Sequence, residues 1–149
     1  MKKFIFIIFL ILNACGYQSV NKIDKLNYNI SKYKLLGNKE INKILKKNFD
    51  KNNNNMNYEN NFEIVAKSSL EKFKNSKDRA GAATNLSLGV KINLEIFQDS
   101  KKIKEISFNE NTVYKNIDNK SELKQFEKIL INNLLDKIIR QINLNLSSI

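Results

Sequence analysis

From Thr84 to Phe97 the chain alternates. Leu86, Leu88, Val90, Ile92, Leu94 and Ile96 are interleaved with Asn85, Ser87, Gly89, Lys91, Asn93 and Glu95. A period of two puts each set on its own face of an extended segment, so the run predicts a long strand with one buried and one wet side. Weaker versions of the pattern flank it. Asn61 to Leu70 sets Phe62, Ile64 and Ala66 against Glu63, Val65 and Lys67, and predicts a strand of that extent. Asp99 to Lys102 reads as a polar hairpin turn, with a fourth strand returning through Ile103 to Tyr114. The charged stretch Lys74 to Gly81 reads as the turn between the second and third strands. Tyr28 to Leu36 is extended but out of phase, because Tyr28 and Ile30 fall on one face and Tyr33 and Leu35 on the other. A bulge near Ser31-Lys32, or a shorter strand starting at Lys32, resolves the conflict.

Two segments follow the helical period instead. Gly37-Asn38 breaks the first strand, after which Ile41, Ile44, Leu45 and Phe49 recur on one side with Lys and Asn opposite. Asn52 to Asn57 is a low-complexity run that reads as a solvated loop. Asn119, with Glu122 three residues on, carries the signature of a capped helix start closed by a capping box. Leu123, Phe126, Leu130, Leu134, Ile138 and Ile142 then form a stripe, widened by Ile131, Leu135 and Ile139. A stripe that broad packs onto a sheet rather than into a coiled-coil seam. Such a helix of about 26 residues is ~39 Å long. The order β-α-β-β-β-α predicts an α+β fold: a two-layer sandwich with two helices on one face of a four-stranded, mostly antiparallel sheet, whose other face is polar.

The first residues obey different rules. Lys2 and Lys3 precede an unbroken apolar run from Phe4 to Leu12. Spanning a bilayer takes roughly 20 residues, so the run is too short for that and fits the core of a secretory signal. The only cysteine sits where the run ends, in Leu12-Asn13-Ala14-Cys15-Gly16. A lone cysteine cannot form an internal disulfide. The pattern resembles a lipobox, with an aliphatic residue at −3 and a small one at −1; Asn13 at −2 is a less usual choice. A plain signal, or an uncleaved anchor with an incidental cysteine, is the competing reading. The lipobox resemblance implies cleavage before Cys15 and diacylglycerol on its sulfur. It divides the chain into a signal at 1–14, a lipidated tether at 15–26 and a domain at 27–149. Gly16, standing where Asp favours inner-membrane retention in Gram-negative lipoproteins, implies the outer membrane, periplasmic side.

Charge changes the picture less than its size suggests. The formal net charge is +11, yet only Arg79 and Arg140 among the 26 basic residues are arginine. Nucleic-acid readers lean on arginine for bidentate contacts, and an export signal argues further against a nucleic-acid partner. The wealth of Asn, Lys and Ile with no Pro is what AT-rich codons produce, so part of the basicity is compositional. An anionic glycolipid stays a sensible partner. An enzyme is not expected, since there is no His, no free Cys, no Gly-rich phosphate loop, no G-x-S-x-G elbow and no metal-ligand spacing. The covalent lipid on Cys15 is the only prosthetic group expected.

Several features together resemble the lipopolysaccharide-assembly lipoprotein family LptE, especially its alphaproteobacterial members. They are Cys15-Gly16-Tyr17, Gly37-Asn38-Lys39-Glu40-Ile41-Asn42 entering the first helix, and Lys77-Asp78-Arg79-Ala80-Gly81-Ala82-Ala83-Thr84 leading into the alternating strand. Tyr114, followed by Asn119-Lys120-Ser121 and a long C-terminal helix, completes the set. The resemblance implies a plug inside the outer-membrane β-barrel LptD, which helps assemble the barrel and deliver lipopolysaccharide to the cell surface. It makes Lys77 and Arg79, on the predicted loop between the second and third strands, candidates for contact with lipid phosphates. A solvated charged turn is the plainer reading of that pair. A lipoprotein serving as adaptor or scaffold for another envelope complex would look the same in these respects.

Overall fold

The computed structural model describes residues 28–53, 58, 60–77, 79–81 and 83–149. The signal, the tether and Cys15, the middle of the Asn-rich run, Asp78 and Ala82 lie outside the described residues. The elements are β1 (Tyr28–Gly37), α1 (Lys39–Lys51), β2 (Asn60–Lys77), β3 (Ala83–Gln98), β4 (Lys101–Lys115) and α2 (Lys120–Ser147). The sheet order is β1-β2-β3-β4, with β1 parallel to β2 and the other two pairings antiparallel. The predicted α+β architecture is therefore the observed one, and the single parallel pairing is where α1 crosses over.

The phase conflict in β1 is resolved by a bulge. Ile30 pairs with Phe62 and Lys32 with Glu63, leaving Ser31 as the extra residue. The slip brings Tyr28, Ile30, Tyr33 and Leu35 onto one face, because adjacent pleat positions otherwise point to opposite sides. Ser31 compensates by donating from Oγ to the carbonyl of Phe62 at 3.1 Å. On the helix side Phe62, Ile64, Ala66, Leu88, Val90, Ile92, Leu94, Ile96 and Phe108 are buried beneath Ile41, Leu45 and Phe49 of α1 and Ile131, Leu134, Leu135, Ile138, Ile142 and Leu146 of α2. Tyr28 is also buried there. Its hydroxyl donates to Asn143 Oδ1 at 3.0 Å, and burial pushes its phenol far up, so it remains a neutral donor.

Both predicted helix starts are capped by asparagine. Asn38 Oδ1 accepts from the backbone N–H of Glu40 and Ile41, and Asn119 Oδ1 from those of Ser121 and Glu122. The capping box at Asn119 closes differently from expectation, since Glu122 Oε1 accepts from the Asn119 side-chain amide at 3.1 Å. α2 runs for 28 residues. The sheet covers its later turns more fully than its first, so Phe126 of the predicted stripe is 37% exposed although its ring packs against Tyr114, and Leu123 is half-buried.

β2 runs seven residues beyond its predicted end, through Lys77, so residues 74–77 of the predicted turn belong to the strand. Glu71 to Lys77 lacks hydrophobic alternation because the helix layer thins out there and both faces meet water. The ladder to β3 nevertheless continues from Glu71↔Gly89 to Lys77↔Ala83, with irregularities around Ser76. Gln98 pairs directly with Lys101, which leaves a two-residue turn in which Asp99 (φ 50°) and Ser100 (φ 64°) both take positive φ, as a type I′ turn requires.

The β1–α1 junction is the tightest place in the fold. Gly37 has φ +94°, and a Cβ there would lie 1.9 Å from the Ser68 carbonyl oxygen. Buried Ser68 holds the same junction, with Oγ 2.7 Å from Asn42 Oδ1 and 3.2 Å from the Leu36 carbonyl, while its own carbonyl accepts from Asn38 N–H at 3.1 Å. Gly37→Ala should therefore lower unfolding stability by about 3 kcal/mol or more, combining left-handed strain with a backbone clash. Ser100→Gly, which relieves positive φ at an open turn, should raise it by ~0.5–1 kcal/mol. Chemical denaturation of the two variants beside the parent measures both.

Candidate functional site

The sheet face away from the helices is open. Successive rows across β2, β3 and β4 read Val65–Glu95–Glu105, Lys67–Asn93–Ser107, Ser69–Lys91–Asn109, Glu71–Gly89–Asn111 and Phe73–Ser87–Val113. The polar groups engage one another along the surface. Ser107 Oγ donates to Asn93 Oδ1 at 2.8 Å, Ser87 Oγ to Asn75 Oδ1 at 3.0 Å, and Lys102 Nζ lies 3.2 Å from Glu95 and 2.5 Å from Glu105. Such exposed ion pairs add little stability, so what they do is order a flat, wet, mixed-charge surface.

The far end of this face is the β2–β3 tip. Lys77 is the last residue of β2, not a loop residue as expected, and Arg79 is in the turn beyond it; both side chains are exposed. Side-chain bonds pin the tip, with Ser76 Oγ 2.6 Å from Thr84 Oγ1 and Asn85 Nδ2 donating to Ser76 Oγ at 2.9 Å. Phe73, 57% exposed, and Val113, 63% exposed, flank Ser87 on the open face just before it. Exposed cations and apolar groups thus lie at the same end of the sheet.

That end is tied to the helix layer by Glu127, which no sequence pattern singled out. Glu127 accepts from Lys72 Nζ at 2.5 Å and from the Tyr114 hydroxyl at 2.6 Å. Burial by itself would raise the Glu127 carboxyl, but the hydrogen bonds from Lys72 and Tyr114 outweigh it and hold the group below the usual carboxylate range. Burial, and then the facing carboxylate, push the Tyr114 phenol up.

A second concavity lies in the helix layer. Lys39, Lys43, Lys47 and Lys51 of α1 and Lys128 of α2 rim a groove of about 860 Å³, with Ile44 and Ile139 among its lining and Glu40 and Asp136 as its acids. Among the described residues no group of His, Cys, Asp and Glu is placed to hold a metal ion, and no helix is long and apolar enough to cross a membrane.

No protein-family profile matches the chain, and no curated protein matches its sequence. Solved structures do match its fold. Rare lipoprotein B from Shewanella oneidensis aligns with a TM-score of 0.54 and 13% identity, over 76% of this chain and 95% of that one. A minor lipoprotein from Acinetobacter baumannii gives 0.54 and 17%, over 79% and 94%. Lipoprotein B from Nitrosomonas europaea gives 0.55 and 12%, over 89% and 91%. At these identities the likeness is one of fold.

The Glu127 cluster gives a test of how the tip is held. A carboxyl lowered by folding stabilises above its unfolded value, and that contribution is lost as pH falls through the folded value. Glu127→Gln should cost about 1–2 kcal/mol near neutral pH, mostly through the weakened bond to buried Tyr114. The gap from the parent should narrow in strong acid, once the pH has fallen through the lowered folded value and Glu127 is protonated in both states. Urea titrations in the two pH ranges measure it.

Proposed function

We propose that this chain is a non-enzymatic lipoprotein, held by lipid on Cys15 at the periplasmic side of the outer membrane. There it acts as plug and assembly partner of an LptD-type β-barrel in carrying lipopolysaccharide to the cell surface. The observation that carries the reading is the fold, shared along most of its length with several bacterial lipoproteins. It combines with the single cysteine at the end of an apolar leader and with the family resemblance of the Gly37–Asn42 and Lys77–Thr84 segments.

The two-faced sheet supports the same role. A plug in a water-filled barrel must present polar surface to the lumen, and the open face, with its Asn, Ser, Lys and Glu rows, does so without exposing the core. This end of the domain, with Lys77 and Arg79 further along than Phe73 and Val113, offers cations for phosphate and apolar surface for acyl chains. In this reading those two cations meet lipopolysaccharide.

Two measurements test it in sequence. Cys15→Ala should abolish incorporation of labelled palmitate and move the protein from the membrane to the soluble fraction; unchanged membrane association would sink the lipid anchor. Purification of the tagged lipoprotein from detergent-solubilised outer membranes should bring down a large β-barrel protein in stoichiometric amount. Recovery alone, or with soluble envelope proteins, would instead favour an adaptor or scaffold of another envelope complex.

A further inference from the structure

The lysines of α1 are sorted. Lys46 turns toward β1, where its Nζ lies 3.1 Å from Asp50 Oδ2 and 3.1 Å from the Tyr33 hydroxyl. Lys39, Lys43, Lys47 and Lys51 stand at successive i, i+4 positions along another side of the helix, all exposed. Neighbouring like charges at that spacing destabilise a helix. Among the described residues none of the four has an ion-pair partner. Lys128 adds a fifth cation from the opposite wall of the groove, against the carboxylates of Glu40 and Asp136. The open sheet face, by contrast, mixes its lysines with Glu63, Glu71, Glu95 and Glu105.

The groove also has a definite position relative to the chain's N-terminal end. Lys51 closes α1, and the next residue, Asn52, is bonded to the start of β1: its carbonyl accepts from Ile30 N–H at 3.3 Å, and its side-chain amide lies 3.5 Å from the Tyr28 hydroxyl. The segment that leads back to Cys15 therefore joins the domain beside the end of the lysine row. Only residues 16–27 separate Cys15 from Tyr28, a reach of at most about 47 Å.

We propose that the α1–α2 groove docks on the anionic phospholipid headgroups of the membrane in which the chain is anchored, with the four α1 lysines and Lys128 facing lipid phosphates. The proposal rests on the lipid-anchor part of the reading above and not on the barrel partner. The two acyl chains of a diacylglycerol anchor suffice to hold a protein at the surface, but through a tether they leave open which side of the domain faces the membrane, and a basic patch sets that. Near an anionic leaflet each lysine strengthens binding roughly fivefold, and the short tether makes the encounter intramolecular. Docking in this way describes the anchored domain before it enters any barrel lumen: it fixes which side faces the membrane and leaves the open sheet face and the tip turned toward other partners.

The test uses the lipidated full-length protein carrying Asn132→Cys, labelled with an environment-sensitive dye inside the groove, since the Cys15 sulfur is blocked by lipid. It is reconstituted into neutral phosphatidylcholine vesicles or into vesicles with about one-third phosphatidylglycerol. On anionic vesicles the dye should be shielded from an aqueous quencher at least about fivefold relative to neutral ones, and salt should reverse the shielding. K39Q/K43Q/K47Q/K51Q should remove it, while K32Q/K67Q/K91Q/K115Q on the open face, equal in charge lost, should not. Equal quencher access on both vesicle types, or equal effects of the two quadruple variants, overturns the groove as the docking face. Failure of the protein to float with neutral vesicles overturns the lipid anchor itself and the proposal with it, which separates the two failures.

Discussion

One residue of slack decides how this domain is put together. Without the bulge at Ser31, Tyr28 and Ile30 would share the core face of β1 only if Tyr33 and Leu35 were turned to water, or the reverse. Each buried side chain of that size stabilises the fold by about 1.5–3 kcal/mol relative to leaving it exposed, so losing either pair would remove a large part of the net stability of a small domain. The bulge also matters beyond its own strand. β1 is the platform for α1, with Tyr33 packing edge-on against Phe49 at 5.6 Å, and α1 in turn forms one wall of the helix-layer groove.

From that platform follows a division of labour between the two layers. All the packing is on the helix side of the sheet, and the reverse side is left to hydrogen bonds and ion pairs among side chains. Charge is distributed unevenly as a result. On the flat face the strands set acids beside lysines, whereas on α1 the face not needed for packing is free to collect lysines. Of the polar groups admitted to the core, Tyr28 pairs with Asn143, Ser68 with Asn42, and Asn29 Nδ2 with Asn61 Oδ1 at 2.9 Å, while Asn29 Oδ1 is buried without a hydrogen-bond partner among the described residues.

The fold was legible in the sequence wherever burial is one-sided. The period-two run in β3 and the period-3.6 stripes of both helices gave the architecture, the Gly37-Asn38 break and the Asn119 cap gave the helix starts, and the phase conflict in β1 pointed to the bulge. Legibility failed where water reaches both faces, because a strand such as Glu71–Lys77 is held by its backbone ladder and leaves no hydropathy signal. That failure also put Lys77 in a loop when it ends a strand. Single-residue roles were invisible for another reason. Glu127 and Asn143 matter through partners brought in from other strands, and Ser68 through a glycine across the sheet, which no spacing along the chain encodes. The lysine row at 39, 43, 47 and 51 was visible as spacing, but only the fold shows that it borders a groove.

The bond between Tyr28 and Asn143 joins positions 115 residues apart, almost the full length of the described domain. The β2–β3 and β3–β4 hairpins are sequence-local and can pair early, but the first strand finds the acceptor for its buried hydroxyl only in the last turns of the final helix. A polypeptide delivered front end first, from a ribosome or through a translocation pore, therefore cannot complete its core on the strength of its leading half. It stays threadable until its tail arrives. On the proposed reading of an exported lipoprotein, this late closure would keep folding on the far side of the membrane.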